Sequence, residues 1–199
     1  MSRNIDRYVP PMEQHVIWSG GFTEEECDMI KQTGELAEFV EAKVGSGVEG
    51  GMFDESIRKT KIVWIEPLEE NKWIFERMNE LAAKINFDKF QMKLKQFDAF
   101  QYSKYPVGNF YDWHTDTVTN PSNGLYRKLS FSLMLSDPTD FEGGEFIVSL
   151  FGTEAKTETL KLKKGDLVIF YSHLPHKVAP VTKGERITLV TWALGDKIL

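Results

Sequence analysis

His114 and Asp116 stand two positions apart in Tyr111-Asp112-Trp113-His114-Thr115-Asp116, where residue type and spacing first suggest chemistry. They supply one nitrogen and one oxygen donor. If the surrounding FYDWHTD is a strand, its period of two turns both donors to one face, with Tyr111, Trp113 and Thr115 on the other. A metal site needs a third donor, and the chain has four histidines. His15 lies far ahead of the β-rich region and reads as a surface residue. His173 and His176 lie together in SHLPHKVAP, directly after the apolar run DLVIFY, where a rolled sheet brings a late strand beside an early one. Two imidazoles and a carboxylate on one face of an octahedral ion leave three positions open, as in non-haem Fe(II) oxygenases. The same donors with one water make a tetrahedral zinc hydrolase, and the spacing leaves both open.

Arg186 bears on that choice. It opens RITLVTW ten residues after His176, following the turn signal TKGE. An inward-facing strand arginine needs an anion, and its planar fork suits a carboxylate. The plain alternative is an exposed strand-edge arginine. The favoured one is an anchor for a dicarboxylate whose other end chelates the metal.

Short elements must position these residues. After residue 90 the chain becomes a series of β-like runs: FDAFQYS, FYDWHTD, KLSFSLML, EFIVSL, TETLKL, DLVIFY, HKVAPV and RITLVTW. FEGGE, KKGD and TKGE read as turns between some of them. Such regular short strands suggest a barrel or a two-sheet jelly roll. Before residue 90, Thr23 and Glu26 form a capping-box signature for a helix over 23–33. Ile74, Met78, Leu81 and Ile85 recur at helical spacing over 69–86. KIVWI reads as a strand, and Gly45 to Gly51 as a mobile glycine-rich loop. Residues 1–90 are thus expected to be a helical support and substrate loop, and 91–199 the jelly-roll core, in a single domain.

Composition narrows the classes further. The 199 residues are 41% hydrophobic and 27% charged, with no apolar run near membrane-spanning length and no secretory leader at the N-terminus. A soluble, cytoplasmic protein with no membrane partner is expected. Cys27 is the single cysteine, so no intrachain disulfide forms, and it reads as a small buried helix residue. A net charge of −6 argues against nucleic acid as partner. The lysines between Lys84 and Lys95 read as a solvated face.

The sequence resembles the prolyl 4-hydroxylase-like branch of the Fe(II)- and 2-oxoglutarate-dependent dioxygenases. YPVGNFYDWHTD matches that family's Tyr-x-x-Gly-x-x-Tyr-x-x-His-x-Asp, and DFEGGEF, KKGDLVIF and HKVAPVTKGERITLVTWAL follow in the family's order. Residues 96–195 carry this likeness; ESIRKT is similar to an Arg-x-Ser segment near the substrate, with Thr60 in place of serine. The resemblance implies a mainly β (α+β) double-stranded β-helix, a cupin-like jelly roll with N-terminal supporting helices. It implies His114, Asp116 and His176 as Fe(II) ligands, with His173 left as a pocket residue. Arg186 and Tyr105 would bind 2-oxoglutarate. Ser132 and Met134, which share a face with Ser130, and Trp192, which has the parity of Arg186, would line the same pocket. Arg58, Tyr111 and Trp113 would meet the substrate, a proline-containing peptide or protein. O2 is the co-oxidant, ascorbate an accessory reductant, and succinate and CO2 the products. Against this reading stand an oxygenase of free amino acids or nucleic-acid bases and a non-catalytic jelly-roll binding module.

Overall fold

Thr23 accepts a hydrogen bond from the Glu26 backbone N–H while the Glu26 carboxylate accepts one from the Thr23 N–H. This reciprocal cap starts helix α1 (Glu24–Glu35), whose buried stripe carries Cys27 and Ile30. Helix α2 (Lys72–Ile85) buries Ile74, Met78, Leu81 and Ile85, the stripe its spacing predicts. A π-helical turn over Asn86–Phe90 continues it to Gln91, which adopts a left-handed conformation. The computed structural model describes residues 13–43, 54–119, 123–150 and 156–197. The expected loop at Gly45 to Gly51 lies outside the described residues.

The strands are β1 (His15–Trp18), β2 (Val40–Glu41), β3 (Arg58–Lys59), β4 (Lys61–Ile65), β5 (Gln96–Phe97), β6 (Phe100–Pro106) and β7 (Phe110–His114). They continue with β8 (Tyr126–Met134), β9 (Phe141–Gly143), β10 (Phe146–Ser149), β11 (Thr157–Leu160), β12 (Leu167–Tyr171), β13 (His176–Val178) and β14 (Val181–Gly195). The major sheet runs β1-β12-β8-β14-β6-β4-β2, with β5 and β9 also pairing with β14; the minor sheet runs β11-β10-β13-β7-β3. The pairings that order these sheets are antiparallel. The expected mainly β, two-sheet jelly roll with helices against it is what the chain forms.

Both faces of the major sheet are covered. On one, Ile30, Ile74, Met78 and Leu81 pack with Leu129, Phe131, Leu133 and Leu189. On the other, Tyr105, Met134, Val168 and Phe170 meet Phe146, Val148 and Val178 of the minor sheet. Cys27 is fully buried, and burial pushes its thiol up to about 12. Among the described residues no helix is long and apolar enough to cross a membrane.

Three local expectations fail for physical reasons. The N-terminal part is more than a helical support: β1, β2 and β4 extend the major sheet and β3 the minor one. β2 and β3 are two residues long and exist through their partners, so no local pattern marks them. His15 is therefore a half-buried strand residue beside β12, with Nε2 3.8 Å from Glu158. TKGE is not a turn between strands. β14 runs through it, and the register slips by one residue between Val181 and Lys183, a bulge that precedes Gly184 at φ 69°.

Candidate metal centre and adjoining cavity

The expected alternation along FYDWHTD breaks in the same way. In the β7–β13 pairing His114 faces His176 and Tyr111 faces Val178, so three steps along β7 match two along β13. One extra residue bulges out of β7, held where the Asp112 N–H donates to the Ile57 carbonyl at 2.8 Å. The bulge puts Tyr111 on the face of His114 instead of the opposite one. Their rings stack with centroids 3.4 Å apart and planes 10° from parallel. β7 ends at His114, and Asp116 lies beyond it, its N–H donating to the Ser172 carbonyl at 2.8 Å.

The minor sheet thus supplies both histidines from neighbouring strands. His114 Nδ1 lies 2.8 Å from the Asp112 carbonyl and His176 Nδ1 2.9 Å from the Leu174 carbonyl. Each carbonyl can only accept, so it fixes the proton on Nδ1 and leaves the Nε2 lone pair free to ligate. Those Nε2 atoms lie 3.7 Å and 3.6 Å from the two oxygens of Asp116. Among the described residues these three form a cluster whose donor atoms all fall within 4.8 Å of one another. Burial, and then the facing His176, push His114 down to about 3, so its imidazole is neutral and available to a cation. Burial alone would raise the Asp116 carboxyl, but the two histidines, the Trp192 indole and the Ser130 hydroxyl hold it below its ordinary value as a ready anion. Ser130 Oγ donates to Asp116 Oδ2 at 2.7 Å and lies 3.0 Å from Ser172 Oγ. Two nitrogens and one hard oxygen without thiolate suit a non-haem Fe(II) centre.

A cavity of about 510 Å³ opens beside this cluster, lined by residues from both sheets. Arg186 lines it from β14. It is 1% exposed, and among the described residues its Nε and Nη2 have no hydrogen-bond partner. Burial lowers it to about 10, yet it remains a cation at neutral pH. Opposite it in the β14–β6 register stands Tyr105, with the guanidinium 5.4 Å from the ring centre. Gly144 makes room for this side chain, since a Cβ there would lie 3.0 Å from Arg186 Cδ. A buried guanidinium presenting unpaired donors is matched by a carboxylate, so the residues present fit a dicarboxylate as well as a metal.

The remaining expected site residues divide. Ser132 and Trp192 line the cavity with Tyr105, Arg58 and Tyr111. Met134 does not; it ends β8 among Val168, Phe170 and Phe146 between the sheets. Trp113 does not either: as the residue next to His114 in β7 it points to the opposite, outer face, where the Lys177 ammonium lies 4.8 Å from its ring. His173 is exposed and stacks on Tyr171, away from the cavity, which corrects its expectation as a pocket residue. Sequence reasoning missed Gln101, Arg127, Thr188 and Val190 on the cavity wall, and Ser172 behind Asp116. Thr188 and Val190 were within reach, since they share the parity of Arg186 and Trp192.

Comparison with known proteins agrees with this geometry. The family profile described as 2OG-Fe(II) oxygenase superfamily matches residues 100–194. A PKHD-type hydroxylase of Idiomarina loihiensis is 30% identical over 155 residues, 74% of this chain and 68% of that relative. A prolyl-4-hydroxylase of Pseudomonas putida superposes with a TM-score of 0.69 at 23% identity, covering 90% of this chain and 91% of the other. A prolyl hydroxylase from Trichoplax adhaerens, in complex with a peptide fragment of the hypoxia inducible factor oxygen degradation domain, gives 0.68 at 20% identity over 90% and 83%.

Proposed function

Because the chain belongs to the 2OG-Fe(II) oxygenase superfamily, we propose that it hydroxylates a prolyl residue within a peptide or protein. In this reading His114, Asp116 and His176 hold the metal, and Arg186 with Tyr105 holds the distal carboxylate of 2-oxoglutarate. The class of reaction follows from the family: Fe(II), 2-oxoglutarate and O2 are used, and bound iron supplies the oxidising power to hydroxylate an unactivated C–H bond as 2-oxoglutarate becomes succinate and CO2. The chain's own residues bind, orient and exclude water. Ser132, Thr188, Val190 and Trp192 line the same cavity as Arg186.

The observation that supports a peptide substrate is the placement of Arg58 and Tyr111 beside His114. They are direct neighbours across β3 and β7, and both line the cavity. An aromatic ring and a forked donor at a metal centre suit the ring and exposed carbonyls of an extended prolyl segment, which has no internal hydrogen bonds to break. Prolyl hydroxylases of the same fold, one of them holding a peptide, point the same way. The test is Fe(II)-dependent 2-oxoglutarate turnover, with ascorbate as reductant, against proline-peptide libraries, free amino acids and oligonucleotides. The expected product is proline carrying one added oxygen, located by fragment mass spectrometry. His114→Ala, Asp116→Ala and His176→Ala each abolish turnover, and His173→Ala retains it. Efficient oxidation of a free amino acid or an oligonucleotide, with no proline product, would remove the prolyl assignment.

A further inference from the structure

Arg58 is the cavity's uncommitted charge. It is 9% exposed; Nη2 donates to Gln101 Oε1 at 2.7 Å, Nη1 to the Lys43 carbonyl at 3.5 Å, and the buried Nε has no partner among the described residues. Both partners are neutral, and among the described residues Arg58 makes no ion pair. The charges deeper in the wall are engaged. Arg127 donates twice to Asp98 Oδ2, at 3.2 Å and 2.9 Å. Asp116 sits between the histidines, and Arg186 faces the cosubstrate. Glu41, on the rim, is exposed and forms no ion pair with Arg58. Burying a guanidinium without an anion is costly. Among the described residues no anion pairs with Arg58, and the cosubstrate's distal carboxylate is matched to Arg186, so a carboxylate carried by the substrate is the partner that fits.

Geometry sets where it binds. The Arg58 Cζ is 4.5 Å from the Tyr111 ring centre, which is 3.4 Å from that of His114, so the guanidinium lies within about 8 Å of the imidazole, roughly two residues of extended chain. We propose that the substrate carries a carboxylate one or two residues from the residue that is hydroxylated, and that Arg58 receives it. This rests on the oxygenase reading of the cavity and deepens it, naming an acidic segment as substrate. The carboxylate is either an Asp or Glu side chain or a free C-terminus.

The test uses the full chain with N-acetylated peptides containing a central proline. Asp or Asn is placed at each of the two positions on either side, and a parallel set ends at those positions as free acid or amide. In the native protein the acidic member of a pair at one or two positions is turned over with kcat/KM about tenfold or more above its neutral partner, the yield of one charge-assisted bond. In Arg58→Gln that ratio collapses to near one, and in Arg58→Glu lysine replaces aspartate as the preferred neighbour. Ratios are taken within each protein, so a general loss of activity cancels. The free-acid set tells a terminal carboxylate from a side chain. Equal turnover of acid and amide by the native protein, or a ratio that survives in Arg58→Gln, overturns the proposal while leaving prolyl hydroxylation standing. Oxidation of acidic peptides with alanine in place of proline does the reverse. If no peptide is oxidised, quenching of Trp64 and Trp192 fluorescence under argon decides. Binding of Asp peptides that Arg58→Gln abolishes supports the carboxylate site, and its absence overturns it.

Discussion

A guanidinium that is 1% exposed, with two N–H groups unpaired among the described residues, is costly to the ligand-free protein; in the proposed function the carboxylate of 2-oxoglutarate offsets that cost. Arg186→Met keeps the stem that packs against Gly144 and removes the charge. The ligand-free variant should unfold at the same temperature as the native protein or higher, a gain of up to about 2 kcal/mol. Its apparent affinity for 2-oxoglutarate should fall by well over tenfold, since a charge-assisted pair in a buried site contributes about 2 to 4 kcal/mol. Mn(II) binding, which uses none of these atoms, should persist. Thermal unfolding and 2-oxoglutarate titration check both halves, and a destabilised variant that still binds 2-oxoglutarate normally would contradict them. Residue chemistry of this kind was legible in the sequence because so few residues could supply it: one H-x-D pair, two late histidines and one arginine opening a strand. Ser130 and Ser172 were not legible as supports of Asp116. A serine hydroxyl announces nothing until the fold shows which acceptor lies 2.7 Å away.

Two bulges carry these side chains to their places. The extra residue in β7 brings Tyr111 onto the His114 ring, and the slip near the start of β14 precedes the register in which Arg186 faces Tyr105. Gly184 sits at φ 69° two residues before Arg186, and a Cβ on it would fall on the Asp140 carbonyl oxygen, a backbone atom that cannot step aside. Gly184→Ala should therefore cost about 2 kcal/mol or more, from left-handed strain and the clash together. Because the shift lies next to Arg186, it should weaken 2-oxoglutarate binding more than metal binding. A variant of native stability and native 2-oxoglutarate affinity would show that the bulge is not what sets this register. Strict alternation is the rule a sequence reader applies to a strand, and it failed at β7 because a bulge changes parity without changing composition. It succeeded on the later part of β14, where Arg186 and Trp192 reach the cavity, and on β8 it held for Ser132, while Met134 on the same face packs between the sheets short of the cavity. The helices were legible because the Thr23–Glu26 cap and the α2 stripe are local signals. β2 and β3 were not, being two-residue strands that exist only through long-range partners.

At the scale of the whole molecule, the helices and the minor sheet seal the two faces of the major sheet, yet the space between the sheets is only partly filled. Among the described residues Arg58 Nε and Arg186 Nε and Nη2 are buried there without partners, and three ligand atoms converge around the Asp116 carboxylate. Such a core is incomplete, and ligands that finish it bind the folded chain alone, so they raise its stability by mass action. At a hundredfold excess over the dissociation constant the gain is about 2.7 kcal/mol, which in a chain of this length raises Tm by roughly 5 to 10 °C. Mn(II), a redox-silent stand-in for Fe(II), should produce a shift of this kind. A dicarboxylate held by Arg186 at one end and by the metal at the other gains its second attachment only when the metal is present. 2-Oxoglutarate should accordingly raise Tm much more in the presence of Mn(II) than in its absence. His114→Ala should lose the metal-dependent increment, and Arg186→Met should keep the Mn(II) shift while losing the further rise from 2-oxoglutarate. Scanning calorimetry of the three proteins under four ligand conditions reads all of these, and a 2-oxoglutarate shift of equal size with and without Mn(II) in the native protein would mean that the two sites are not bridged by one molecule.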